Sequence, residues 1–353
     1  MPWVAASSEV DADQPQAELW FGAHVNGPSP LTTDATTLRD SVDPAQAPVL
    51  VKLLAAGSPL SIQIHPPADQ AQASFAEQQA DPSAPKLLSD DKAKTEMLIA
   101  VEPFAVFSGF RDSNEAAQVL RATAEGLDSI ADDVEAGRTK EAIAAMLALP
   151  SDGLKAVTDR LPEAAQVVGL PELAVRALET VATQYPGDPG CLVATLLQPE
   201  QLNPGDAVYV QAGIVHAYIE GIGVEVMTAS DNVLRLGLTP KTIAVEPALA
   251  AIDEQLQPQI LRPQAATSDD GGTVRQYAPQ GAPFAVSSIN QGSLAAPAGD
   301  YRLVLAVDGP ATVSTDDTEV VLAQGEAAAV LADEPAITVA TTGTAYITRK
   351  AGE

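Results

Sequence analysis

Two histidines stand in apolar, strand-like runs of a chain that holds three histidines in all. His65 closes LSIQIHPP (60–67) two residues after Gln63, and His216 lies in AGIVHAYIEG (212–221) with Tyr218 two residues on. Between these runs comes KTEM, with Lys94 and Glu96. Two imidazoles, a carboxylate and an amide are a sufficient donor set for one divalent cation. Downstream, Glu225 alternates with Val224 and Val226, and Arg235 with Leu234 and Leu236. Each is thereby aimed at one face of a strand and its neighbours at the other. A single histidine of this kind is more often a hydrogen-bonded structural residue, and a single strand arginine a surface ion pair. Chemistry requires that they converge.

The elements that must bring them together can be read from period and punctuation. In LSIQIHPP, Leu60, Ile62 and Ile64 alternate with Ser61, Gln63 and His65, so Gln63 and His65 share a face. A strand-lined interior carrying a few polar groups is the natural destination of that face. VLVKLL (49–54) and MLIAVEPFAVFSGF (97–110) read as further strands. From about Asn114 to Val193 the character changes: NEAAQVLRATAEGL, DDVEAGRTKEAIAAMLAL, GLKAVTDRL and ELAVRALETVATQY are rich in Ala, Leu and Glu at helical spacing, broken by prolines at 150, 162 and 171. Strands are expected again at CLVATLLQP (191–199) and in LNPGDAVYVQAGIVHAYIEG, and a last series runs from 272 to 350. There GEAAAVLADEPAITVA loosely echoes GDAVYVQAGIVHAYIE but contains no histidine.

Composition narrows the setting. A length of 353 residues allows two or three domains, and 46% hydrophobic residues is ordinary for a folded soluble chain. No apolar run reaches the roughly 18 residues of a membrane span, and MPWVAASSEVDADQ lacks the basic and apolar regions of a signal peptide, so no membrane association is expected. The single cysteine, Cys191, excludes an internal disulfide framework; it is expected to be a buried small apolar residue in a cytoplasmic protein. With 47 acidic against 19 basic residues the net charge is −28, which repels a phosphate backbone and makes nucleic acid an unsuitable partner. Any cation facing an anionic substrate must then act locally, which singles out Lys52, Lys94, Arg235 and Lys241.

Three segments, AELWFGAHVNGPS (17–29), LSIQIHPPADQA (60–71) and AGIVHAYIEGIGVEVMTASDNVLRLGLTPK (212–241), resemble type I mannose-6-phosphate isomerase in order and spacing, and the resemblance runs over nearly the whole chain. It implies a mainly β, cupin-type enzyme with two jelly-roll domains and an inserted helical domain. On that reading, residues 1–112 and 191–260 form the catalytic domain, 113–190 the helical insertion, and 261–353 a second jelly roll without metal ligands. It further implies a monomeric, cytoplasmic aldose–ketose isomerase acting on a sugar phosphate, interconverting mannose 6-phosphate and fructose 6-phosphate through a cis-enediol. One Zn²⁺ per chain would be held by Gln63, His65, Glu96 and His216. Arg235, Lys94, Glu225 and Asp231 would serve catalysis, and Lys52, Ser61, Tyr218 and Lys241 substrate binding, with Lys52 on the phosphate. His24, Trp20 and Glu18 are expected to pack and position.

Two departures from the family pattern stand out. Where relatives commonly read N-H-K-P-E, this chain reads DKAKTE, with Ala93 for the histidine and Thr95 for the proline. The Y-x-W-G opening is absent or reduced to MPWVA, so a strand or edge of the first sheet is expected to be missing. The alternative readings are a degenerate homologue that binds metal and sugar phosphate without turnover, and a cupin iron oxygenase, which the glutamine donor and basic contacts disfavour.

Overall fold

The computed structural model describes residues 3–5, 16–32, 35–81, 83 and 85–350. The chain is mainly β, with two antiparallel sheets and a set of helices packed against the first. Among the described residues no helix is long and apolar enough to cross a membrane.

The ten strands of the first sheet are organised around one long strand, His216–Thr228. Its second half pairs with Val49–Ala56 on one side and Glu96–Ala100 on the other. Its first half pairs with Phe104–Phe110, and His216 itself pairs with Gln63. One strand therefore passes from one layer into another, and the layers enclose an interior filled by Leu54, Leu98, Phe104, Val106, Val208 and Tyr218.

Simple alternation along this strand would put His216 and Tyr218 on the opposite face from Glu225. The register resolves the conflict. Val106 faces Tyr218 while Ala105 faces Glu220, so Ile219 is an extra residue, a β-bulge that inverts the parity of everything after it. Ahead of the bulge Ala217 and Ile219 point outward into the helical core; beyond it Val224 and Val226 point outward toward the second sheet. His216, Tyr218 and Glu225 all face inward. The turn between layers needs glycine. Gly221 has φ +139°, and a Cβ there would lie 2.6 Å from the Phe104 ring.

The helices from Ser113–Thr123 to Gly190–Ala194 occupy the stretch where the composition calls for them. They bury Ile62, Ile64, Phe107 and Val215 in one cluster, so the apolar face of LSIQIHPP packs outward and Gln63 and His65 are left for the interior. Leu60 departs from its expected face and lines the interior cavity.

The expected strand over 191–199 is only half correct: Gly190–Ala194 is helical and the strand runs Leu197–Leu202. A short apolar run fits either state, and here Asp188 decides. Its Oδ1 accepts from the Gly190 N–H at 2.7 Å and the Leu238 N–H at 3.1 Å, tying a helical turn to the loop after Arg235. A helix at Ala68–Ala80 escapes the periodicity because Ala71 is its one deeply buried residue, leaving almost no apolar stripe to detect.

The second sheet holds nine strands, from Ala266–Thr267 to Ile337–Lys350 together with Trp3–Ala5. Of the MPWVA segment, expected as a reduced edge of the first sheet, the described residues Trp3–Ala5 belong to the second: they pair with Ala329–Ala327, whose other edge is taken by Arg302–Leu305. The GEAAAVL echo has a structural counterpart. Gly205 and Gly325 turn at φ +88° and +80° ahead of the strands Ala207–Val210 and Ala327–Val330, and each is followed by the longest strand of its sheet. Cys191 is buried, as expected, and burial pushes its thiol up to about 12.

Gly221→Ala should cost about 1–3 kcal/mol, because the left-handed conformation and the Phe104 contact cannot both relax. The check is the urea midpoint; an unchanged midpoint would mean that the strand crosses between layers without needing glycine.

Candidate metal centre and active site

Glu96 begins its strand with its side chain buried, and four groups meet its carboxylate. The Lys94 ammonium lies 2.9 Å from Oε2 and the Tyr218 hydroxyl donates to Oε1 at 3.0 Å. His65 Nε2 is 3.2 Å from Oε2, and His216 Nε2 is 3.0 Å from Oε1. Burial alone would raise this carboxyl, but Lys94 and then the two imidazoles override it and hold it well below the usual range.

Each imidazole is oriented from behind. In the tautomer that satisfies both rings, His65 Nδ1 donates to the Asn232 carbonyl at 2.8 Å and His216 Nδ1 to the Ile214 carbonyl at 3.0 Å. Both Nε2 atoms then present lone pairs to a carboxylate that also offers lone pairs. Burial is the main cause that lowers His65 to about 4, with Lys94 adding to it, so its ring stays neutral and cannot supply the missing positive charge. Acceptor facing acceptor is stable only with a cation between them. The ligand atoms of His65, Glu96 and His216 lie within 4.8 Å of one another, the one such group of His, Cys, Asp and Glu among the described residues. Two imidazoles and one carboxylate, each ring held through its second nitrogen, suit a borderline cation such as zinc.

Gln63 lies between His216 and Arg235 in cross-strand register, so three inward side chains form a row. Its amide has no side-chain hydrogen bond among the described residues and lines the cavity in front of Glu96. That cavity, of about 250 Å³, is lined by ten of the twelve residues expected from the sequence: Lys52, Gln63, Lys94, Glu96, His216, Tyr218, Glu225, Asp231, Arg235 and Lys241. His65 sits behind it, fully buried against Glu96. Ser61 is not among the lining residues.

A second row crosses the other layer. Trp20, Lys52 and Glu225 are register partners, and Leu98 follows Glu225. Lys52 Nζ lies 3.3 Å from Glu225, 3.4 Å from Glu18 and 4.5 Å from the Trp20 ring centroid. Trp20 Nε1 donates to Glu18 at 2.8 Å. Burial works against the Lys52 charge, yet Glu225 and Glu18 more than offset it and raise the ammonium above its ordinary value. Glu225 is also raised, which for a carboxyl disfavours the charged form: burial, then the Glu96 charge, raise it despite Lys52. Arg235 and Lys241 differ from Lys52, since neither side chain has a hydrogen bond or ion pair among the described residues.

Three contributors escape the reading of motifs. Glu18 and Trp20, expected to pack and position, line the cavity itself while they hold Lys52. Asn232, fully buried, has no expected role. Its Oδ1 accepts from the Ser89 and Asp90 N–H groups and its Nδ2 donates to the Asp90 and Lys92 carbonyls at 2.8 Å each. It therefore staples the approach to Lys94 and Glu96 while its own carbonyl holds His65. An asparagine beside Asp231 in a loop is the only signal, and it is weak. His24 packs edge-on against Trp20, with Nδ1 accepting from the Asn26 N–H at 3.2 Å, and borders an adjoining cavity together with Ala93.

Fold and site define a metal-binding β-sheet protein whose donors converge beside a cavity holding unpaired cationic side chains. A family model for the catalytic domain of type I phosphomannose isomerase matches residues 3–113. Mannose-6-phosphate isomerase of Salmonella typhimurium is 30% identical over 94% of this chain and 90% of its own length. A probable mannose-6-phosphate isomerase of Caenorhabditis elegans is 32% identical over 90% and 81%. Among solved structures, a variant of the Salmonella typhimurium phosphomannose isomerase superposes with a TM-score of 0.83 at 26% identity, covering 99% of this chain and 100% of that one. A zinc-bound mannose 6-phosphate isomerase superposes at 0.79 with 27% identity, covering 96% and 91%. The chain belongs to the type I phosphomannose isomerase family.

Asn232→Ala should weaken zinc binding about 10–100-fold while the chain stays folded, measured by competition with a chromogenic chelator. The combined His65→Ala and His216→Ala variant should lose stoichiometric zinc in elemental analysis. Zinc retained at one per chain would remove these residues from the ligand set.

Proposed function

We propose that this chain interconverts mannose 6-phosphate and fructose 6-phosphate with one zinc held by Gln63, His65, Glu96 and His216. The observation that carries the reading is the buried carboxylate between two imidazole lone pairs, opening onto a cavity with two unpaired cations. The free Gln63 amide beside His216 supports it as fourth ligand. Two jelly-roll domains of the cupin type are proposed for the architecture, with the catalytic one formed by residues 1–112 and 191–260, the helical insertion 113–190 between them and the second at 261–353, except that Trp3–Ala5 adds an edge strand to the second sheet. The repeated glycine turn, short strand and long strand support that division. A cytoplasmic monomer is proposed with it.

When bound, zinc supplies Lewis acidity to the substrate oxygens at C1 and C2. The chain's residues do the rest. Lys241, exposed at the mouth and unpaired, takes the phosphate. Lys52, expected there from the sequence, is already held by two carboxylates and instead sets the charge of Glu225. Glu225 accepts the C2 proton and returns it to C1 through the cis-enediol, since a carboxyl raised by burial is closer to neutrality than an ordinary one. Lys94, ion-paired with Glu96 at 2.9 Å, adds a cationic group beside the metal donors. Arg235, beside Gln63 and permanently charged, stabilises the oxyanion as it develops. Asp231 lines the same cavity and is proposed as a hydroxyl contact with Tyr218; Ser61, which is not among the lining residues, is given no role. Ala93 borders the cavity next to His24, and the proposed proton path runs without a residue at position 93.

The direct test is a coupled isomerase assay on zinc-reconstituted protein; zinc bound without turnover would favour the degenerate homologue. Arg235→Ala should lower kcat with zinc retained, whereas Lys241→Ala should mainly raise KM; identical signatures would merge the two roles. The base must be deprotonated to act, so kcat/KM should rise with pH through a pKa above the ordinary carboxylate value, and Glu225→Gln should abolish that acid limb along with most activity. Ala93→His should change kcat by about tenfold or less, roughly 1.4 kcal/mol in barrier; rescue of an inactive parent would give the missing histidine the proton-transfer role.

A further inference from the structure

A second cavity, of about 570 Å³, lies between the two sheets, away from the metal donors. Most of the second sheet's face toward the first is apolar, with Val286, Leu303, Leu305 and Tyr277 packed against Val51, Met97, Ile99 and Tyr209. At one end that pattern breaks. Arg275, Ser288 and Tyr346 are successive register partners across three strands, and Asn290 and Thr344 form the next row on the same face. All five line open volume where their neighbours pack.

Two of them are unusual for a structural surface. Arg275 has no hydrogen bond or ion pair among the described residues, in a chain with 47 acidic side chains. It lies over the turn at Gly205, where a Cβ would come 3.0 Å from its Nε, so this turn of the first sheet seats the guanidinium. Tyr346 is a mostly buried residue whose phenol lines the cavity and makes no hydrogen bond among the described residues, so its O–H is available to a ligand. By contrast Asn290 is held in place, donating to Thr344 Oγ1 at 2.8 Å. The carboxylates in the lining, Glu102 and Asp308, are exposed at its rim and pair with nothing inside.

We propose that this cavity is a second small-molecule site, taking a hydroxylated oxyanion of monosaccharide size. The oxyanion sits on Arg275 and Tyr346, and the hydroxyls lie along Ser288, Asn290 and Thr344. A planar guanidinium beside a phenol donor matches two oxygens of a carboxylate or phosphate. Cavities of this size at the junction of two structural units are where small ligands commonly bind.

The test is calorimetric titration of the zinc-loaded full chain with gluconate, glycerol 2-phosphate and uncharged glucitol. At least one anion should bind saturably and glucitol should not; which anion wins separates carboxylate from phosphate. Arg275→Gln should weaken that binding by about tenfold or more, and Tyr346→Phe by a smaller factor, with isomerase turnover in the absence of these probes unchanged. Should Arg275→Gln not fold, Arg275→Lys keeps the charge and loses the planar fork, and should still weaken the anion several-fold. The proposal is overturned if neither anion saturates, if glucitol binds as tightly as the anions, or if affinity is indifferent to the residue at 275.

Discussion

A charged carboxylate buried away from water is the constraint around which the catalytic half is arranged. Glu96 is tolerable in the interior because Lys94 and the Tyr218 hydroxyl reach it directly and because the two imidazoles beside it complete a donor set for a cation; without these the carboxylate would be an uncompensated group. Those partners come from separate places in the chain. Lys94 precedes the Glu96 strand, His65 follows a two-residue strand pinned to the long one, and His216 and Tyr218 lie on the long strand itself. The bulge at Ile219, the glycine at 221 and the Asn232 staple all serve that delivery.

Period-two alternation identified the inward face at Gln63 and His65, because both neighbours, Ile62 and Ile64, had an apolar layer of helices to meet. The same rule fails across 216–225. Alternation separates His216 from Glu225, and only a bulge reunites them; the closely spaced Gly221 and Gly223 hint at an irregularity without giving its direction. Lys52 was legible as a site residue, but its carboxylate partners were not, since Glu18 and Glu225 reach it from different strands. Asn232 was illegible for the same reason. Its side chain works across about 140 positions of chain, and nothing in SDNVLR marks which backbone groups it satisfies.

The helical segment shows the opposite balance. Four stretches rich in Ala, Leu and Glu announced it, and the helices follow them closely. What composition could not settle was its edge, where Asp188 draws Gly190–Ala194 into a last helical turn. That turn sits against Gly237, two residues after Arg235, so the helices brace the loop that leads from Arg235 to Lys241.

The metal cavity is locally balanced, with four carboxylates and four cationic side chains in its lining, inside a molecule of net charge −28. An incoming dianion therefore meets repulsion over most of its approach and attraction only at the last step. Screening removes the first and largely spares the second. As the Debye length contracts from about 30 Å at 0.01 M to about 8 Å at 0.15 M ionic strength, the long-range barrier fades while the short contacts at the mouth persist. Capture should therefore quicken on adding salt, the reverse of an enzyme that steers an anion with a basic surface. An acidic shell of this kind makes ionic strength part of the working environment that the cavity is suited to.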